Sequence, residues 1–231
     1  MPRRIYPSRN KSNLSVIRAP SPLKRRGSAE QLRDSAQQVR QRVRQAVRQG
    51  DFTRAIAHSN RLILSHSATA EDFNNRGLIH LWNGQAHRAI SDFDQAIALN
   101  PELPAAYNNR ANYYASQGDA IHALQDYERT IDLDPFHVKA RINRAITLRG
   151  LGCYDVALAE LDEALLFHKM PGEIYAERGR TYHLCGDWNG AIADYRRALQ
   201  AFSLPTSAVS LAKNSYRRDV LIWLDELVPA A

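Results

Sequence analysis

The chain has 231 residues, 44% of them hydrophobic and 24% charged, with a formal charge of +7 and only two cysteines. That composition is ordinary for a globular protein and leaves room for one or two domains or for one elongated array. No apolar run approaches the length needed to cross a bilayer, no apolar core with a small-residue cleavage site opens the chain, and lone Cys153 and Cys185 provide neither a disulfide framework nor a zinc site.

The charge sits at one end. Arg3, Arg4, Arg9, Lys11, Arg18, Lys24, Arg25 and Arg26 precede Ala29 with no acid among them. Up to Gln49 there are 13 basic residues against Glu30 and Asp34, whereas from Gly50 onward 18 basic residues face 22 acidic ones. Residues 1–28, with four prolines and several serines, are expected to be a disordered basic arm. Three readings stay open for it: a solvating tail, an electrostatic arm for nucleic acid or an anionic membrane surface, or an organellar targeting segment.

A helix is expected to begin at Ser28, with Gln31 in the capping-box position. Leu32, Val39, Val43, Ala46 and Val47 give it an apolar stripe, and Arg40, Arg44 and Arg48 form a second, basic one. Gly50 ends it, and Phe52, Ala55, Ile56 and Leu62 mark a partner helix. From there the chain repeats. Gly50, Gly84, Gly118, Gly152 and Gly186 are 34 residues apart, as are Ala89, Ala123, Ala157 and Ala191. A fixed period of this length is the signature of a helical repeat array. The units fall at 36–69 (divergent), 70–103, 104–137, 138–171 and 172–205. Each of the four regular units pairs a small residue at its eighth position (Gly77, Ala111, Ala145, Gly179) with a large one at its twenty-fourth (Phe93, Tyr127, Leu161, Tyr195), the pattern of closely approaching helices. The fourth position is aromatic at Phe73, Tyr107 and Tyr175, with Arg141 the exception.

These columns, with Pro101 and Pro135 closing two units, resemble the tetratricopeptide repeat over about residues 36–205, in the variety common in bacterial proteins. The resemblance implies an all-α fold: a right-handed superhelical solenoid of about five helix-turn-helix units, within an array over 29–205. After Pro205 a last helix is expected from about Thr206 to Leu227, and 206–231 is read as a capping helix and tail. In that last helix Lys213 falls in the small-residue column, where it would block a further partner helix; Trp223 allows the rival reading of a partner-docking anchor.

No phosphate loop, dinucleotide fingerprint, zinc motif or Cys-x-x-Cys occurs, and no nucleophile, base and oxyanion donor come together in sequence. The chain is read as a non-enzyme without cofactor, metal or small-molecule substrate. Cys153 and Cys185 are read as small packing residues. Arg76, Arg110, Arg144 and Arg178 recur with Asp92, Asp126, Glu160 and Asp194, which favours a ladder of ion pairs inside each unit over a phosphate-binding spine.

By the family resemblance, positions 2, 5, 6, 9, 12 and 13 of each unit face the concave groove. In this chain they include Arg40, Arg44, Arg48, Asn74, Asn75, Trp82, Asn108, Asn109, Asn112, Lys139, Asn143, Arg149 and Arg180. Asparagines can pair with the amides of an extended peptide, and the cations suit acidic side chains. The family's carboxylate clamp for chaperone tails is matched only at Asn109 and Lys139, so that partner is not expected. The reading is therefore a protein–protein interaction module or scaffold, in a bacterial cytoplasm, that takes an extended, acidic peptide segment of another protein. Its rival is an adaptor for nucleic acid or anionic membrane acting through the arm.

Overall fold

The computed structural model describes residues 26–65, 68–203 and 211–227, with side chains described from 36 and, in the last helix, from 215. The described residues form helices only: α1 Arg26–Arg48, α2 Phe52–Leu64, α3 Ala70–Trp82, α4 Ala86–Leu99, α5 Pro104–Ser116, α6 Ala120–Leu133, α7 Val138–Gly150, α8 Tyr154–Leu165, α9 Pro171–Cys185, α10 Trp188–Ser203 and α11 Leu211–Leu227. Each odd-numbered helix up to α9 packs in a hairpin on the next, and each hairpin stacks on its neighbour. The result is a helical repeat solenoid. The basic arm lies outside the described residues except for its last three positions, which belong to α1. That helix starts two residues before Ser28.

The 34-residue glycines make the hairpin turns. Gly50, Gly84, Gly118, Gly152 and Gly186 all adopt left-handed φ between 71° and 89°, where a Cβ would be strained. Asp51 and Asp119 cap the following helices by accepting the backbone N–H of Arg54 and His122. Thr69 and Asp72 form a capping box at the start of α3. Pro101 and Pro135 follow the ends of α4 and α6, and Pro171 opens α9, where its missing N–H costs nothing.

Small and large columns interlock as their pattern requires. A Cβ on Gly77 would lie 2.6 Å from Phe93 Cε1, and one on Gly179 would lie 2.8 Å from Tyr195 Cδ1. Phe93, Leu161 and Tyr195 are fully buried and Tyr127 nearly so, each contributing about 1.5–3 kcal/mol of apolar burial. Burial pushes the Tyr127 and Tyr195 hydroxyls up to about 12.

The arginine ladder holds each hairpin. Arg76, Arg110 and Arg178 fork onto Asp92, Asp126 and Asp194 at 2.5–3.0 Å. Arg144 pairs with Glu160 through a single nitrogen; its Nε and Glu160 Oε2 are buried without a hydrogen bond among the described residues, although Arg141 Nη1 lies 3.6 Å from that oxygen. Burial, opposed by Arg144 and Arg141, raises the Glu160 carboxyl above its ordinary value. The ladder also joins neighbouring units. Arg110 Nη1 reaches back to Asp94 at 2.7 Å and Arg178 Nη1 to Asp162 at 2.5 Å, while Arg76 Nη1 donates to Asn60 at 2.8 Å. The fourth-column aromatics roof it: Phe73, Tyr107 and Tyr175 lie 5.5–5.7 Å from the guanidinium carbons of Arg76, Arg110 and Arg178. Arg141, in that column, instead pairs with Glu163 at 2.9 Å under Phe167.

Three expectations change. Cys153 and Cys185 are exposed, so they fill no core. They sit at the hairpin turn, outside the interlocking columns. Trp223 is packed within the molecule, in the cluster of Tyr195, Ala198 and Val220, and is not a free anchor. And α11 leaves the repeat register: its Glu226 meets α9 46 residues back, whereas Asn143 and Asn112 pair across 31. Lys213 therefore no longer marks the small-residue column; its side chain lies outside the described residues.

Candidate functional site

Successive first helices α1, α3, α5, α7 and α9 lie side by side, and polar side chains from the inner row stitch them together. Arg40 of α1 forks onto Asp72 of α3 at 2.7–3.1 Å. Asn109 of α5 donates to Asn74 of α3 at 2.8 Å. Asn143 of α7 donates to Asn112 of α5 at 2.8 Å, and Tyr127 donates to the same Asn112 oxygen. Arg149 of α7 binds Glu177 of α9 at 2.8 Å. Arg180 of α9 binds Glu226 of α11 at 3.0 Å.

This seam uses most of the residues expected to meet a ligand. Asn74 and Asn108 depart furthest from that expectation, because both are buried. The fifth position of the unit turns between adjacent first helices, one residue and about 100° away from the sixth. Asn108 donates weakly to Asn109 at 3.4 Å, and its own Oδ1 has no partner among the described residues. Asn109, Asn112, Asn143 and Arg149 are partly buried and engaged. Burial works to raise the Asp72 carboxyl, but hydrogen bonds from Arg40 and Thr69 outweigh it and hold it below its ordinary value.

Five of the expected residues stay exposed: Arg44, Arg48, Asn75, Trp82 and Lys139. Lys139 stands alone on α7. The other four converge at the N-terminal end, around a cavity of about 360 Å³ between α1, α2 and α3. Val43, Val47, Leu62, Leu78 and Ile79 make its floor, Arg40 and Asp72 one wall, and Arg44, Arg48, Asn75 and Trp82 its rim. Trp82 is 54% exposed and rests against Phe52 with ring centroids 5.8 Å apart. Arg44 and Arg48 make no ion pair among the described residues.

The apolar floor was the part least visible beforehand. Its one sequence signal is Leu78, which stands in the ninth-position column of Arg44, Asn112 and Arg180. The arrangement can desolvate a large apolar side chain while two unpaired guanidinium groups hold nearby carboxylates. Among the described residues no group of three His, Cys, Asp or Glu side chains is placed to hold a metal ion, and no helix is long and apolar enough to cross a membrane.

The middle of the chain matches the tetratricopeptide repeat family model twice, over residues 74–138 and 111–173. None of the curated proteins matches it in sequence. Several solved structures match it in fold. A thermophilic tetratricopeptide-repeat protein of Thermus thermophilus superposes with a TM-score of 0.64 at 19% identity, over 81% of this chain and 99% of that one. A tetratricopeptide-repeat protein from Parabacteroides merdae gives 0.65 at 17%, over 84% and 75%. MamA from Desulfovibrio magneticus gives 0.64 at 16%, over 72% and 94%. At these identities the likeness is one of fold.

Proposed function

We propose that this chain, whose residues 74–173 match the tetratricopeptide repeat family model, works as a non-catalytic interaction scaffold which captures an acidic segment of another protein at the N-terminal end of its groove. One observation carries the reading. Arg44 and Arg48 are groove cations left without an ion pair among the described residues, and they rim an apolar cavity of about 360 Å³. Arg40, Arg149 and Arg180 are each held by a carboxylate of the protein itself. A partner carboxylate meeting Arg44 or Arg48 displaces only water, whereas at Arg149 it would compete with a largely buried pair.

The exposed thiols of Cys153 and Cys185 suit a reducing cytoplasm. The basic arm, whose residues before Arg26 lie outside the described structure, adds electrostatic steering toward an acidic partner.

The test is binding of fluorescently labelled acidic peptides containing leucine or tryptophan, compared with their Lys-for-Glu counterparts, to the full chain. The double variant Arg44→Ala/Arg48→Ala is expected to weaken acidic-peptide binding by about tenfold or more, since arginine is among the residues enriched in binding hot spots and both cations are removed together. Lys139→Ala should change it little. Unaltered affinity in the double variant, with a native circular dichroism spectrum, would reject the site.

A further inference from the structure

The ladder that braces the later hairpins is incomplete in the first. Arg42 stands before His58 at the 16-residue spacing by which Arg76, Arg110 and Arg178 fork onto Asp92, Asp126 and Asp194. An imidazole therefore takes the place of the carboxylate. The second acid of the ladder is missing as well. Asp94 and Asp162 reach Arg110 and Arg178 from the preceding unit, but α1 is the first described helix. Arg42 makes no ion pair and no side-chain hydrogen bond among the described residues.

A second exchange leaves room at this place. The eleventh residue of the later units is large and covers the ladder: His80 lies 3.8 Å from Asp92, and the Arg178 guanidinium carbon lies 6.0 Å from the Tyr182 ring centroid. In the first unit that residue is Ala46. Here there is a recess of about 280 Å³, lined by Arg42, Gln45, Ala46, Gln49, Arg54 and His58. The corresponding recess of the second unit has Arg88 in the place of Arg54, and Asp92 already sits on Arg76 within it. No acid is among the residues that line the first recess. Asp51, close to Arg54 in sequence, uses its carboxylate to accept the Arg54 backbone N–H. Two guanidinium groups, an imidazole and two amides thus converge on one recess without a counter-charge.

We propose that this recess binds a phosphate group, as the free ion or as a small organic monoester, in the place that an aspartate fills in the later units. Arginine forks onto phosphate as it does onto carboxylate. A carboxylate would balance only one of the two guanidinium groups. A phosphate monoester, with about −1.5 to −2 charges near pH 7 and three acceptor oxygens, matches both. The Gln45 and Gln49 amides and a ring N–H of His58 supply further donors. The recess shares no residue with the apolar pocket rimmed by Arg44 and Arg48, so the two sites stand or fall separately.

Titration of inorganic phosphate, phenyl phosphate and acetate into the isotope-labelled full chain, at constant ionic strength, tests it through the backbone amide shifts of residues 42–58. At least one of the two phosphates is expected to give saturable shifts there and to bind roughly tenfold or more tightly than acetate. Tighter binding of phenyl phosphate assigns the site to an ester, and tighter binding of inorganic phosphate to the free ion. Arg42→Ala should weaken that binding by about tenfold or more, because charge-assisted hydrogen bonds are lost. His58→Asp should do the same by giving Arg42 the carboxylate of the later units, and it should raise the Tm measured without phosphate. The double variant Arg44→Ala/Arg48→Ala should leave phosphate binding unchanged; an equal loss there would mean general attraction to a basic surface and overturn the site. Shifts that are absent, that do not saturate, or that persist in both Arg42→Ala and His58→Asp overturn it, as does acetate binding as tightly as phosphate.

Discussion

At the N-terminal end of the solenoid, Arg44 faces an open apolar pocket; at the C-terminal end, Arg180 in the same repeat position lies between Trp223 and Glu226. The two ends also differ in their bracing. The last hairpin is held by Arg178 on Asp194, with Arg197 also on Asp194 at 2.8 Å. The first hairpin has Arg42 in the ladder column, but His58 stands where the carboxylate would be. The contrast teaches where an array built of near-identical units keeps its spare interactions. Interior and C-terminal units spend the groove arginines Arg149 and Arg180 on holding themselves together, with Lys139 the exception. In the first unit, Arg44 and Arg48 make no ion pair among the described residues.

The largest test of that contrast is at the brace. Asp194 is 1% exposed, so Asp194→Ala leaves the partly buried Arg178 only the exposed Asp162 and should cost about 3–5 kcal/mol in urea unfolding. Arg42→Ala at the other end should stay within about 0.5 kcal/mol, because no carboxylate is lost. Equal losses would erase the difference. Next come the close approaches inside the hairpins. Gly77→Ala forces a methyl against the Phe93 ring and should cost about 1–3 kcal/mol in thermal or urea unfolding. Adding Phe93→Leu should recover much of it, since Ala145 with Leu161 is the same pair of columns already built that way.

A smaller effect separates Trp82 from Trp223. Trp223→Ala should cost about 2 kcal/mol and release α11, seen as faster amide exchange in 211–227. Trp82→Ala, at a 54% exposed site, should cost under about 1 kcal/mol yet weaken acidic-peptide binding more than Trp223→Ala does. The smallest effect is that of pH. Burial first, and then Arg180, depress the His183 imidazole below its ordinary value of 6.5, with Glu226 opposing. The neutral ring is thus the one the folded state prefers. Its contribution is present above about pH 6.5 and is lost as pH falls through the depressed value. Cap protection measured by amide exchange should drop on that side, and His183→Gln should flatten the drop. Burial depresses His80 of α3 as well, so single substitutions are needed to assign the effect.

Much of the fold was legible in the linear chain because it is built from local rules applied at a fixed period. A left-handed turn needs glycine, and Gly50, Gly84, Gly118, Gly152 and Gly186 recur every 34 residues. Close helix packing needs a small residue opposite a ring, and Gly77 with Phe93 or Gly179 with Tyr195 recur likewise. The intra-unit pairing of Arg76 with Asp92 could be read from equal spacing alone. Its extension to Asp94 and Asp162 of the preceding units could not, because those acids repeat with the same period and only the stacking angle brings them to Arg110 and Arg178.

The groove was legible only as a row of polar positions. Sequence alone determined that asparagines and arginines recur at fixed positions of the first helices, and the family resemblance implied that those positions face the groove. Tertiary structure decided which of them are spent: Asn109 on Asn74, Asn143 on Asn112, Arg149 on Glu177, Arg180 on Glu226. The physical reason is that a side chain's freedom depends on whether the next helix brings a partner within about 3 Å. That distance is set by the superhelical stacking of whole units, and no pattern within a single unit contains it. For Arg44 and Arg48 the stacking brings no carboxylate among the described residues, and beneath them it assembles an apolar floor from three helices, with Val43 of the first unit brought against Leu78 and Ile79 of the second.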